Sequence, residues 1–357
     1  MNVEEKALFT SVLRDVSRSF YLTIRALPSG IRRPIAIAYL LARATDTVAD
    51  TQIVKLPIRL DALQRLRARI EGVSDARLDF GGFAQQQGTP GERVLLQRIE
   101  EVLRLYNALD GINHAYVCAV LKTIISGQEL DLERFAEASS TNIVPLQTDA
   151  ELDDYTFRVA GCVGEFWTRV CVHGNQPKGV LTELTADNFA PFDSQTFSRS
   201  VLPNSIRFGK GLQLVNILRD IPSDLKNGRC YIPLELLTAA NLAPNDLVNA
   251  ANIDRFRAVY DPLLQRAQDH LAAGWEYTNT LPKSWVRVRL ACAWPILIGL
   301  RTIAHLRKGN PLDATHRIKV TRSEVKGLMA KTFLTYPFRG RWGDQFSRAL
   351  MPPRGKT

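Results

Sequence analysis

Two pairs of aspartates are the residues most able to do chemistry: Asp46 with Asp50, and Asp220 with Asp224, each pair four residues apart. Residues at that spacing share one face of a helix. Two carboxylates so placed repel by roughly a few tenths of a kcal/mol unless a positive group lies between them. Each pair closes a longer polar stripe. Tyr39, Arg43, Asp46 and Asp50 are spaced by four, three and four, and Gln213, Asn216, Asp220 and Asp224 follow a similar rhythm. No lysine stands on either stripe. A single pair is often a solvated face; a pair built twice points to cation binding. Magnesium suits, since it takes one or two carboxylates, keeps some waters and completes its shell with phosphate oxygens. Arg43 and Arg219 accompany the two pairs, and a guanidinium fork matches phosphate oxygens without ever losing its charge. Cations and arginines together neutralise the charge that grows on a departing diphosphate. Pro222 falls between Asp220 and Asp224. It removes a backbone donor, so it should kink or end the helix there and leave Asp224 to reach from a loop.

Such stripes need helices to carry them, and the apolar spacing supplies helices almost throughout. Three-and-four patterns predict helices over roughly 4–26, 31–51, 58–72, 92–107, 112–137, 149–173, 195–221, 251–280, 285–308 and 321–333. Residues 81–91, with two glycines at the start and three glutamines inside, read as a polar loop, and 229–233 as a short extended piece. No fixed repeat or Gly/Ser-rich linker divides the 357 residues. The simplest reading is a single large all-α domain over residues 1–316, followed by a basic extension over 317–357. The five cysteines are scattered, odd in number and without CxxC spacing, which argues against a disulfide framework or zinc and for a reducing cytoplasm. The longest uncharged apolar run, Leu290–Leu300, has 11 residues. That is too short to span a bilayer, and no signal-peptide pattern opens the chain.

Several longer stretches resemble the squalene/phytoene synthase family, and the resemblance covers nearly the whole chain. Ser17-Arg18-Ser19-Phe20 resembles its SRSF element, and Tyr39 to Asp50 its first aspartate motif. Tyr155 to Gly164 resembles its Y-x-x-x-V-A-G-x-V-G element. Gln213 to Asp220, then Asp224 and Gly228-Arg229-Cys230-Tyr231-Ile232-Pro233, resembles the second motif and its tail. Taken alone, the SRSF and VAG elements also read as plain helix-crossing residues.

The resemblance implies a helical domain of the isoprenoid synthase type around a deep apolar cavity, with the two aspartate motifs across its mouth. It implies that two farnesyl diphosphates are condensed head to head. Asp46, Asp50, Asn216, Asp220 and Asp224 would hold magnesium. Arg43, Arg219 and Arg229 would contact phosphate, with Gln213 at the same mouth, and Ser17, Phe20 and Tyr39 would line the first substrate site. Tyr155 or Phe157 would sit beside the carbocation, where an aromatic face stabilises positive charge. Ala49 stands where eukaryotic squalene synthases often have glutamate; Arg158 stands where they often have tyrosine, and there resembles phytoene synthases. The chain continues some fifty residues past the point where the desaturating bacterial members end. Ile318-Lys319-Val320-Thr321-Arg322 resembles the segment through which squalene synthases approach NADPH phosphates. The resemblance thus favours presqualene diphosphate reduced by NADPH to squalene. Lys319, Arg322, Arg18, Arg43 and Arg219 would be the cofactor contacts, and no Rossmann fingerprint is present. Phytoene, dehydrosqualene or presqualene diphosphate synthesis without reduction is the alternative.

The net charge of +10 is unevenly spread. Residues 317–357 hold 10 Lys/Arg against Glu324 and Asp344, a net of +8, which leaves +2 for the body. Basicity confined to one tail does not suggest nucleic acid. Its basic residues alternate with Phe333, Tyr336, Phe338, Trp342 and Phe346. Two fates are open to them: peripheral contact with an anionic inner-membrane face, or packing onto the body. A monomer is expected.

Overall fold

The computed structural model describes residues 3–17, 20–51, 53–86, 89–175 and 192–351. These residues are almost entirely helical. Their strands are two residues long, Val144–Pro145 and Arg229–Cys230, paired in parallel. The chain forms two compact units, Met1–Ala136 with Glu165–Ser194, and Glu137–Gly164 with Gln195–Thr357.

In the first unit the helix Ser29–Asp50 packs against Gly111–Arg134, Ile99–Asn107 and Leu56–Ile70. Ile37, Leu41, Ala44 and Val48 repeat the four-three-four rhythm of the polar stripe, two residues earlier, and all four are fully buried. A two-residue offset is about 200° around a helix, so burying this face turns the Tyr39–Asp50 stripe the other way. Each buried Leu or Ile contributes about 1.5–3 kcal/mol, which fixes the rotation of the helix firmly. Tyr106, also buried, donates its hydroxyl to the Ile70 carbonyl at 3.0 Å and stacks on His114.

In the second unit the helix Leu202–Lys226 lies against Ile253–Thr280 and Val286–Lys308. The same offset holds here: Gly211, Leu214 and Leu218, two residues before Gln213, Asn216 and Asp220, are buried. A Cβ on Gly211 would lie 2.9 Å from His270 Cβ, and one on Gly209 would overlap the Ala160 carbonyl. One on Gly164 would overlap the Ser205 carbonyl. The small residues of the VAG element therefore do pack a helix crossing, and the element itself contains a single π-helical turn, Phe157–Gly161. Gly228, at φ +71°, passes so near the Ser139 and Asn142 backbone that no side chain fits.

Three local expectations are corrected. Pro222 does not end its helix, which runs from Leu202 to Lys226. The missing N–H would have met the Leu218 carbonyl; the buried Tyr260 hydroxyl donates to that carbonyl instead, at 3.0 Å. Residues 81–91 are not all loop, since Gly81–Gln85 forms a short helix and Pro90–Gln97 another. Beyond the helix Arg322–Thr335, residues Arg339–Leu350 form a further helix that the flanking prolines had hidden. Its Trp342 is buried, stacks on Trp275, and donates its indole N–H to Asn279 at 2.7 Å.

Candidate functional site

The first stripe is assembled as its spacing demands. Arg43 holds Asp46 at 2.5 Å and also pairs with Glu92, which accepts from the Thr89 hydroxyl. Glu92 was not legible in the motif, because it lies 49 residues on at the start of another helix. The Nε of Arg43 is buried without a partner. Crowding by protein, then the charges of Asp50 and Glu92, push the Asp46 carboxyl up to about 7 against the pull of Arg43. The Asp46 side chain still keeps 42% of its surface open, which softens the crowding; the upward direction rests on the neighbouring carboxylates as well. Phe20 stacks on Tyr39 at 5.3 Å, and Tyr39 donates to the Val16 carbonyl at 3.3 Å, so the SRSF element and the first motif meet. Ser17 is buried and donates its hydroxyl to the Leu13 carbonyl at 2.5 Å. Arg18 lies outside the described residues.

The second stripe is electrically different. Arg219 grips Asp220 with two N–H groups at 3.0 and 2.5 Å. Arg317, from the extension, donates to the same carboxylate at 2.9 Å. Burial alone would raise Asp220, but the hydrogen bonds and charges of Arg219 and then Arg317 outweigh it and hold the carboxyl below its ordinary range. Gln213 and Asp224 are half-buried on this helix and Asn216 is exposed; Asp224 keeps its helical place four residues after Asp220. Arg229 is half-buried in its short strand. Lys319 and Arg322 are exposed, on the same segment as Arg317.

The two aromatic candidates part company. Tyr155 stacks on Tyr231 at 4.7 Å, joining the central element to the tail of the second motif. Phe157 has the Lys210 ammonium 5.8 Å from its ring centre, and Lys210 is tied to Asp153 at 2.7 Å. Arg158 pairs with Asp154 at 2.8 Å.

The donor set fits a hard cation shared with phosphate. Each stripe offers carboxylate oxygens beside a guanidinium, and the Arg43 Nε wants an acceptor. Among the described residues no three His, Cys, Asp or Glu side chains converge to hold an ion by themselves. Magnesium at either pair would complete its shell with waters and phosphate oxygens.

Two helices that each carry a carboxylate–arginine stripe are what the sequence resemblance implied. Residues 13–324 match the family model described as squalene/phytoene synthase, and the chain belongs to that family. That family consists of prenyltransferase-like enzymes that bind farnesyl-diphosphate-type substrates and generally use a divalent metal. The chain is 30% identical over 263 residues to a 15-cis-phytoene synthase of Synechocystis, covering 72% of this chain and 64% of that one. To a squalene synthase of Candida albicans it is 27% identical over 236 residues, covering 66% and 47%. The matches thus span about half to two thirds of those relatives. Among solved structures, the complex of TcSQS with the ligand BPH1237 is similar at a TM-score of 0.75 and 21% identity, over 98% of this chain and 90% of that one. No helix among the described residues is long and apolar enough to cross a membrane.

Proposed function

We propose that this chain is a magnesium-dependent squalene synthase. It condenses two farnesyl diphosphates head to head into presqualene diphosphate, then reduces that intermediate with NADPH. The observation that carries this reading is the Arg317–Asp220 pair, which ties the basic segment 317–322 to the second carboxylate stripe. One unit then holds, side by side, groups suited to a leaving diphosphate and groups suited to the phosphates of a hydride donor. The TcSQS likeness extends over 98% of this chain, so it takes in most of the extension.

Asp46, Asp50, Asn216, Asp220 and Asp224 would hold magnesium, which when bound would supply positive charge to a leaving diphosphate. Arg43 and Arg219, already poised on the carboxylates, take phosphate oxygens, and Arg229 adds a third guanidinium. Phe20 and Tyr39, stacked together, offer an apolar wall to a prenyl chain. A positive charge already sits over Phe157, so Tyr155 is assigned the place beside the carbocation. Lys319 and Arg322, with Arg18 and Arg219, would bind the phosphates of NADPH. Synthesis of phytoene, dehydrosqualene or presqualene diphosphate without reduction is the competing reading, favoured by the likeness to a phytoene synthase.

Release of inorganic diphosphate from farnesyl diphosphate tests the shared core of both readings. EDTA should abolish it and magnesium restore it. Asp46→Ala and Asp220→Ala should each lower it at least a hundredfold with helical circular dichroism intact; wild-type turnover by either would refute the assignment.

A further inference from the structure

We propose that Tyr260 is a positioning residue for the second carboxylate pair: its hydroxyl replaces the backbone donor that Pro222 lacks and so keeps Asp220 and Asp224 on one helical face. The inference rests on the reading that these two aspartates act together on a divalent cation.

In a continuous helix the N–H of residue 222 would donate to the carbonyl of residue 218. Pro222 has no N–H, and its ring crowds that carbonyl. Leu218 is fully buried, so water does not take the vacancy. The Tyr260 hydroxyl does, at 3.0 Å, from a side chain that is itself fully buried. A buried carbonyl left without a donor is destabilising, and the local remedy is to open the turn between 218 and 222. That opening would swing Asp224 away from Asp220, since each residue lost from the helix turns the following ones by about 100°.

The tyrosine is itself held in place. Phe256 lies 5.3 Å from its ring, and the Arg257 guanidinium sits 5.5 Å over it. Arg257 is anchored by Asp261 at 3.0 Å and by the Leu306 carbonyl at 3.3 Å. Burial raises the Tyr260 hydroxyl well above its ordinary range, so it remains a donor at any working pH. Tyr260 contributes nothing to the site directly; it acts through the backbone of the helix that carries the site.

The arrangement predicts its own rescue, because Pro222→Ala returns a backbone N–H to Leu218. The variants to compare are Tyr260→Phe, Pro222→Ala and the double substitution. The readouts are the melting temperature and the binding of Mn2+ with inorganic diphosphate, followed by water-proton relaxation. Tyr260→Phe should melt several degrees lower and bind Mn2+ five- to tenfold more weakly. The double variant should return to within about twofold of wild-type affinity. A tyrosine that merely fills the core would lower the melting temperature and leave Mn2+ affinity unchanged; that result, or failure of Pro222→Ala to rescue, overturns the proposal. Should Tyr260→Phe not fold, the double variant decides alone, because it supplies the donor without the hydroxyl. If the wild-type protein binds no Mn2+ with diphosphate, the cation reading falls and this inference with it. Equal binding by wild type and Tyr260→Phe would sink the inference alone.

Discussion

Arg317 reaches back 97 residues to donate to the Asp220 carboxylate at 2.9 Å, so the first residue of the basic extension lies on the second aspartate motif. Its side chain is 66% exposed, and exposed ion pairs contribute only about 0–1 kcal/mol. The pair should matter little for stability and more for ligand. Arg317→Gln should leave the melting temperature within about 1 °C of wild type. It should raise the KM for farnesyl diphosphate two- to fivefold, because a guanidinium is withdrawn from the proposed phosphate site. An unchanged KM in steady-state kinetics would reduce the pair to a surface contact.

The first stripe makes a pH prediction. The folded chain holds Asp46 up to about 7, above its unfolded value. A carboxyl raised in this way is favourable to the fold while protonated, and that contribution is lost as pH rises through the folded value. Without metal, stability should therefore fall from about pH 4 to about pH 7. Asp46→Asn, which imitates the protonated form, should raise the melting temperature in EDTA at pH 8 and change it little below about pH 4. Equal effects at both pH values would contradict the shift. Binding of magnesium with diphosphate near pH 7 should also release protons, visible as a buffer-dependent calorimetric heat.

The helix crossing of the VAG element predicts opposite outcomes for two glycines. A methyl group on Gly209 would meet the Ala160 carbonyl, so Gly209→Ala should cost about 1–3 kcal/mol or more through overpacking. Gly327 lies inside the helix Arg322–Thr335 with open space around it. Gly327→Ala should stabilise by about 0.5–1 kcal/mol through helix propensity. Chemical denaturation of the two variants checks both signs.

Packing onto the body, one of the two fates foreseen for the tail aromatics, is realised by three of the five. Tyr336, Trp342 and Phe346 gather with Trp275 on the body, and the Arg289 guanidinium lies 5.5 and 5.3 Å from the Tyr336 and Trp342 rings. Phe333, Leu334 and Phe338 stay exposed near Lys331, Arg339 and Arg341 in sequence. We propose that this corner contacts an anionic membrane surface. Phe333→Ser with Phe338→Ser should weaken sedimentation with anionic vesicles about tenfold and leave neutral vesicles unaffected. Unchanged sedimentation would leave these residues without that role.

Much of this was legible beforehand because it is local. The two polar stripes, the helices that carry them and the short strand at Arg229 follow from spacing within one element. What escaped is long-range: Glu92 on Arg43, Arg317 on Asp220, Lys210 over Phe157 and Tyr260 on Leu218. None of these pairs shares an element, so no periodicity relates them. Pro222 misled for the same reason, since the donor that repairs its helix comes from a helix 38 residues downstream. The helix Arg339–Leu350 was obscured by Pro337, Pro352 and Pro353, which read as interruptions but leave room between them for a helix whose Trp342 docks on Trp275 and Arg289.

The central claim is that two carboxylate–arginine stripes serve a condensation and that the basic segment 317–322 serves a reduction. The most direct measurement incubates purified protein with farnesyl diphosphate and magnesium, with and without NADPH, and identifies the products by gas chromatography–mass spectrometry. Squalene should form with NADPH. Without it the sequence should stop at presqualene diphosphate or divert to dehydrosqualene and hydroxylated products. Lys319→Ala and Arg322→Ala should lower squalene more than they lower consumption of farnesyl diphosphate. The same product with and without NADPH would contradict the account and place the chain among the non-reductive members of its family.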